Sequence, residues 1–101
     1  MDIVTFRQNP AILKKVARLM KTAGHPARLM IVDLLLEKGK MPVKDIQATI
    51  NISQSNASQH LKALEDLGVL ASEREGKKIF YSIDNEEIGQ LIRCVHDCAT
   101  C

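Results

Sequence analysis

Three residues, Asn51-Ile52-Ser53, separate two short amphipathic helical patterns, and the chain that follows switches to extended periodicity. Before the break, Val43, Ile46 and Ile50 recur at helical spacing behind Pro42, which introduces the segment; after it, Ala57, Leu61 and Leu64 do the same. Ser53 suits the N-cap of the second helix, expected over about Gln54 to Leu67, and Gly68 suits its stop. Val69 to Arg74 and Lys78 to Ile83 then read as two strands around the charged turn Glu75-Gly76-Lys77. Two short helices joined by a three-residue turn and followed by a hairpin describe a winged helix-turn-helix.

The flanking segments fit that frame. Asn9-Pro10 opens a helix as N-cap and first helical residue, Ile12, Val16 and Leu19 form its apolar stripe, and Gly24 closes it. A second helix starts near Pro26, carries Leu29, Val32, Leu35 and Leu36 on one face and ends at Gly39. Near the C-terminus, Asp84 and Glu87 have the spacing of a capping box and launch a last helix bearing Ile88, Leu91, Ile92 and Val95. The expected fold class is mainly α with a β-hairpin wing: four helices, a hairpin and a fifth helix. A length of 101 residues is one domain, 1–101. Aromatics make up 3% of it, so the core falls to aliphatic side chains and is small. Burying a further apolar face in a homodimer would support such a core. No apolar run approaches the roughly 20 residues that cross a bilayer, and Met1 to Asn9 lacks the pattern of a secretory signal, so the expected location is cytoplasmic, away from any membrane.

A net charge of +2 says little about partners, but its distribution is uneven. Residues 1–39 carry seven Lys/Arg against three acids, residues 40–80 six against five, and residues 81–101 one against four. The sharper signal lies in Gln54, Ser55, Asn56, Ser58, Gln59, His60 and Lys62. Around the apolar positions of this helix nearly every residue is an amide or a hydroxyl, where a merely solvated face would carry Glu and Lys. Amides and hydroxyls read base edges, and in a helix-turn-helix they do so from the start of the second helix. Arg74, Lys77 and Lys78 at the hairpin tip suit phosphates or a minor groove, although Glu73 and Glu75 dilute their charge. Double-stranded DNA is the partner this pattern points to. His25, His60 and His96 are scattered, and no Gly-rich phosphate loop, nucleophile elbow or metal-binding His-Glu-x-x-His helix is present, which argues against an enzyme. A metal-storage or interaction module would account for the cysteines but not for the amide-rich helix.

The run Ala23 to Leu35, containing Gly24-His25-Pro26-Ala27-Arg28-Leu29, resembles the second-helix signature of the ArsR/SmtB repressors. Ile52 to Leu64, with Ser53-Gln54-Ser55-Asn56-Ala57-Ser58-Gln59-His60-Leu61, is similar to that family's recognition helix, and Leu67-Gly68-Val69-Leu70 and Phe80-Tyr81-Ser82-Ile83 to its wing strands. The resemblance implies a homodimer built on the first and last helices, binding an imperfect palindromic operator and repressing until an inducer arrives. It implies that Gln54, Ser55, Ser58 and Gln59 face bases, that His25 belongs to the helix-start motif, and that His60 packs or meets phosphate.

All three cysteines, Cys94, Cys98 and Cys101, lie in the last eight residues, which suits metal or redox chemistry better than a secreted disulfide framework. The family's cysteine site at the start of the third helix has no counterpart in Met41-Pro42-Val43-Lys44-Asp45, and the second-helix cysteine of its persulfide-responsive members is matched by Asp33. Its zinc positions on the last helix align with Asn85, Glu87, Cys98 and Cys101, where sulfur in place of harder ligands favours a softer ion. At about 100° per residue the three cysteines share one face beside Leu91 and Val95, with His96 on the other side. Cys94 and Cys101 are two turns apart, about 10 Å, so one ion held by all three needs a frayed last turn or a cysteine from the other protomer. The expected inducer is a thiophilic metal or metalloid ion: arsenite, antimonite or a soft divalent metal. The alternatives are a redox- or sulfur-species response through the same thiols, and cysteines without a sensory role.

Overall fold

The computed structural model of the chain describes residues 8–100. Cys101, and the side chains of Leu19 and Ile88 in the two apolar stripes, lie outside the described residues. Five helices and three strands follow one another as α1 (Pro10–Ala23), α2 (Pro26–Lys38), β1 (Met41–Pro42), α3 (Val43–Ile50), α4 (Gln54–Asp66), β2 (Leu70–Glu75), β3 (Lys78–Ile83) and α5 (Glu86–Thr100).

Local chemistry sets most of these boundaries. Asn9 Oδ1 accepts a hydrogen bond from the Ile12 N–H at 3.2 Å, and Ser53 Oγ accepts one from the Asn56 N–H at 3.1 Å, each satisfying an amide the helix leaves unpaired. α3 ends on Asn51 at φ 63°, ψ 52°, with its N–H bonded to the Gln47 carbonyl. Asn is among the few non-glycine residues that enter this left-handed region readily, so the turn between α3 and α4 holds to three residues. Gly68, at φ 80°, reverses the chain after α4 and delivers it to β2.

The core gathers around α2. Ile31, Val32, Leu34 and Leu35 are buried nearly all round this helix, because α1, α3, α4, α5 and β3 all pack against it. Ile46 of α3, Ala57, Leu61 and Leu64 of α4, Val69 and Leu70, Tyr81 and Ile92 of α5 complete the buried set. The inward residues expected of α3 and α4 are therefore inside, with Val43 and Ile50 half-buried.

Three features differ from expectation. A third strand exists: Met41 pairs with Tyr81 and Pro42 with Phe80, so the antiparallel sheet has the order β1-β3-β2. Two residues show no periodicity, and Pro tolerates this place because β1 is an edge. The last helix is capped by Asn85 rather than Asp84: Asn85 Oδ1 accepts from the Glu87 N–H at 2.9 Å, while the Asp84 N–H donates to the Val69 carbonyl at 3.0 Å. That bond keeps Asp84 in line with the sheet, so the helix starts later. β2 also runs one residue beyond expectation, because Glu75 pairs with Lys78 across a two-residue loop that opens on Gly76 at φ 64°.

Candidate nucleic-acid interface

Ala57, Leu61 and Leu64 are fully buried and pin one side of α4 to the core. Its other side is thereby presented outward: Gln54, Ser55, Asn56, Ser58, Gln59 and Lys62 are exposed, and the Ser53 cap holds the first turn, where most of them sit. The second side of the site is the wing. Between the start of α3, the start of α4 and the hairpin tip lies a groove of about 440 Å³ whose walls include Lys44, Gln47, Gln54, Lys77, Lys78 and Ile79. The structure thus brings Gln54 together with Lys77 and Lys78, and adds Lys44 and Gln47, which the sequence reading missed. Their signal was present: the first helix of a helix-turn-helix crosses the DNA backbone, so a Lys in its first turn is a phosphate candidate.

The wing's carboxylates do not oppose this charge freely. Lys40 Nζ lies 3.3 Å from Glu73 Oε2 and 2.7 Å from Glu75 Oε1, and 5.2 Å from the centre of the Phe80 ring. Those two acids hold the Lys40 ammonium above its ordinary pKa. Strand alternation puts Glu73 and Glu75 on one face and Ser72 and Arg74 on the other, where the Ser72 hydroxyl donates to Glu65 of α4 and ties wing to helix. Among the described residues, Lys44, Lys62, Arg74, Lys77 and Lys78 take part in no salt bridge. Those cations remain available to an external anion.

His60 stands apart from the other residues of α4. It is half-buried, and its Nδ1 accepts a hydrogen bond from Arg28 Nε–H of α2 at 3.3 Å. Burial first, then the charges of Arg28 and His25, push its pKa below the ordinary 6.5.

Cys94 and Cys98 lie on α5, away from this surface. Both are free and exposed, one turn apart, beside exposed Leu91 and Val95. Among the described residues no group of three His, Cys, Asp or Glu side chains is close enough to hold a metal ion. Asn85 is occupied as a helix cap and Glu87 pairs with Lys15 of α1 at 3.1 Å, so both are engaged in holding the start of α5. On the outer faces of α1 and α5, Ile12, Leu13, Met20, Leu91 and Val95 are exposed, from 38% at Ile12 to 67% at Met20, a large apolar display for so small a chain. Among the described residues no helix is long and apolar enough to cross a membrane.

A helix-turn-helix domain family matches residues 23–73, which span α2 to the middle of β2. The chain is 37% identical over 90 residues to a biofilm growth-associated repressor of Agrobacterium fabrum, covering 86% of this chain and 76% of that one. It is 35% identical to a Staphylococcus aureus homolog of the cadmium resistance transcriptional regulatory protein CadC, over 85% of this chain and 69% of that one. Among solved structures it resembles the homodimeric winged helix-turn-helix DNA-binding domain of a possible ArsR-family transcriptional regulator from Mycobacterium bovis. That likeness has a TM-score of 0.81 and 32% identity, and covers 99% of this chain and 91% of the other.

Proposed function

Because the chain belongs to the ArsR-type winged helix-turn-helix transcriptional regulators, we propose that it is a homodimeric repressor that a thiophilic ion releases from an imperfect palindromic operator. The observation that carries the reading is the outward side of α4. Six amide, hydroxyl and amino side chains stand exposed on a helix pinned by three fully buried residues, with unpaired cations of α3 and the wing beside it. Gln54, Ser55, Ser58 and Gln59 read bases, Asn56 and Lys62 flank them, and Arg74, Lys77 and Lys78 hold phosphate. The relatives are regulators and not enzymes, and the repressor of Agrobacterium fabrum supports the direction of control. Work on DNA places the protein in the cytoplasm.

The exposed apolar residues of α1 and α5 support a second copy as partner, as does the homodimeric Mycobacterium bovis domain. A two-fold pair of α4 helices implies a palindrome with half-sites about one helical turn apart. The inducer site is Cys94 and Cys98, completed by Cys101 or by a cysteine of the partner subunit. Two thiols one turn apart on the helix that carries Leu91 and Val95 put a soft ion at the rim of the dimer contact, where binding shifts one protomer against the other. The similarity to a cadmium resistance regulator supports the same class of ligand, arsenite, antimonite or a soft divalent metal. The second reading, oxidation or persulfidation of these thiols, is favoured by their being free and exposed.

Selecting duplexes from a randomised pool provides the operator, and anisotropy then measures affinity. About eight phosphates neutralised per dimer predict a slope of log K on log salt near −7. Replacing Gln54, Ser58 and Gln59 together with Ala removes discrimination between selected and random duplex in a folded dimer; discrimination that survives overturns the base-reading assignment. Arsenite, antimonite or Cd²⁺ releases the intact protein and not the variant with Ser at Cys94, Cys98 and Cys101. Release by peroxide or persulfide alone, reversed by a thiol reductant, replaces the ion with the redox reading.

A further inference from the structure

The wing accounts for one flank of α4, and the opposite flank carries a second cluster of basic side chains that no base-reading role explains. At about 100° per residue around the helix, Ser58 and Glu65 lie on the wing side, Ser55, Gln59 and Lys62 point outward, and Asn56 and His60 lie on the side away from the wing. The bond between Ser72 of β2 and Glu65 marks the first side. The bond from Arg28 Nε–H to His60 Nδ1, at 3.3 Å, marks the other. His25, at the N-cap position of α2, makes no capping bond with its side chain, and its ring lies 5.9 Å from that of His60. Among the described residues Arg28 takes part in no salt bridge, so its terminal amino groups are unopposed by a carboxylate.

We propose that His25, Arg28 and His60 form a phosphate clamp that grips the DNA backbone on the wall of the major groove opposite the wing. The inference rests on α4 being the helix that enters the groove. A major groove about 12 Å wide is filled by a helix 10–12 Å across, so phosphates rise on both of its flanks. Cations on the wing side alone would leave the second wall without a partner. Because Nδ1 of His60 accepts from Arg28, the neutral ring carries its proton on Nε2, a donor suited to a phosphate oxygen. Partial burial and the neighbouring charges keep that ring neutral at physiological pH. The planar guanidinium of Arg28 offers two further donors in a fork that matches phosphate geometry. The N-terminus of α2, with Pro26 in its first position, adds its dipole to the same place.

The test measures anisotropy with a 30-base-pair mixed-sequence duplex and with a selected duplex, between 50 and 200 mM salt, for the full chain and for Arg28→Gln, Arg28→Lys, His60→Gln and His25→Gln. Removing one phosphate partner from each protomer lowers affinity for both duplexes by the same factor, roughly tenfold at 0.1 M salt. Arg28→Gln, which also removes a charge, flattens the salt slope by about 2. The histidine variants are read by the uniform loss of affinity, since the neutral ring of His60 displaces no counterion. Arg28→Lys retains the slope. Thermal unfolding confirms that each variant is folded, and if Arg28→Gln is not, the His60→Gln and His25→Gln pair decides. Unchanged affinity for both duplexes in the folded variants, or an unchanged slope in Arg28→Gln, reduces the cluster to a tie between α2 and α4 and overturns the clamp. A loss of discrimination at constant slope overturns it as well, because the cluster then orients α4 instead of holding phosphate. Absence of duplex binding by the unsubstituted protein is a different result, and sinks the DNA-reading assignment itself.

Discussion

Gly89 of α5 lies so close to Leu36 of α2 that a Cβ in its place would fall 2.5 Å from Leu36 Cδ2. The helix that carries Cys94, Cys98 and much of the exposed apolar face therefore docks on the central helix through a bare backbone. Gly89→Val forces α5 away from α2 and costs about 1–3 kcal/mol by overpacking. In Gly89→Ala the far end of Leu36 rotates aside, and the better helix propensity of Ala, about 1 kcal/mol, offsets part of the cost. Thermal unfolding, together with sedimentation to follow the dimer, ranks the two; equal behaviour would mean that α5 is not seated this tightly.

Ser53 controls the turn that presents the side chains proposed to read bases. Ser53→Ala leaves the Asn56 amide without its acceptor and destabilises the chain by about 1 kcal/mol, and Ser53→Asp preserves the cap. Since the fraying falls on Gln54 to Asn56, affinity for a selected duplex drops more in the Ala variant than its denaturation midpoint alone suggests. Urea titration and anisotropy on the same samples separate the two effects.

Lys40 offsets part of the charge of Glu73 and Glu75 on the wing. Lys40→Gln leaves the melting temperature nearly unchanged, since exposed ion pairs add little to folding. It does release two carboxylates beside Arg74, Lys77 and Lys78. Duplex affinity at low salt falls several-fold, about the effect of adding like charge at a phosphate contact, and the deficit shrinks as salt rises. Affinity indifferent to this change would show that the hairpin stays clear of the DNA.

His60 gives stability a pH dependence of known sign. Its folded pKa lies below the unfolded 6.5, chiefly because of burial and then because of Arg28 and His25, so folding favours the neutral ring. The contribution is complete above pH 6.5 and is lost as pH falls through the folded value. Urea midpoints taken from pH 8 downwards decline over that window in the unsubstituted protein, and His60→Gln removes this part of the decline. A steeper decline in His60→Gln would reverse the assignment.

Much of this architecture is legible in the residues alone, and for a local reason. Asn9, Ser53, Gly39 and Gly68 act on amides and carbonyls within four residues of themselves, so the helices they bound stand where the residues announce them. The burial of Ala57, Leu61 and Leu64 is a consequence of helical period alone, and it carries with it the exposure of the amides and hydroxyls between them. The strand Met41–Pro42 was not readable, since two residues have no period and acquire strand geometry from Tyr81 and Phe80 opposite. Nor was the cap of α5: Asp84 has the spacing of a capping residue, but its amide is taken by Val69.

Residue order within windows of about a dozen positions determined most of the elements, most of their ends, and the outward face of α4. Which charges remain free was settled across much longer separations. Lys40 meets Glu73 and Glu75 at 33 and 35 residues, Arg28 meets His60 at 32, and Gln54 shares a groove with Lys44 and Lys77 only after the hairpin has folded back. Hydrogen bonds of helices and turns close over a few residues and leave their mark in the chain's own periodicity. Pairing between side chains on different elements depends on how those elements pack, and packing is a property of the assembled core.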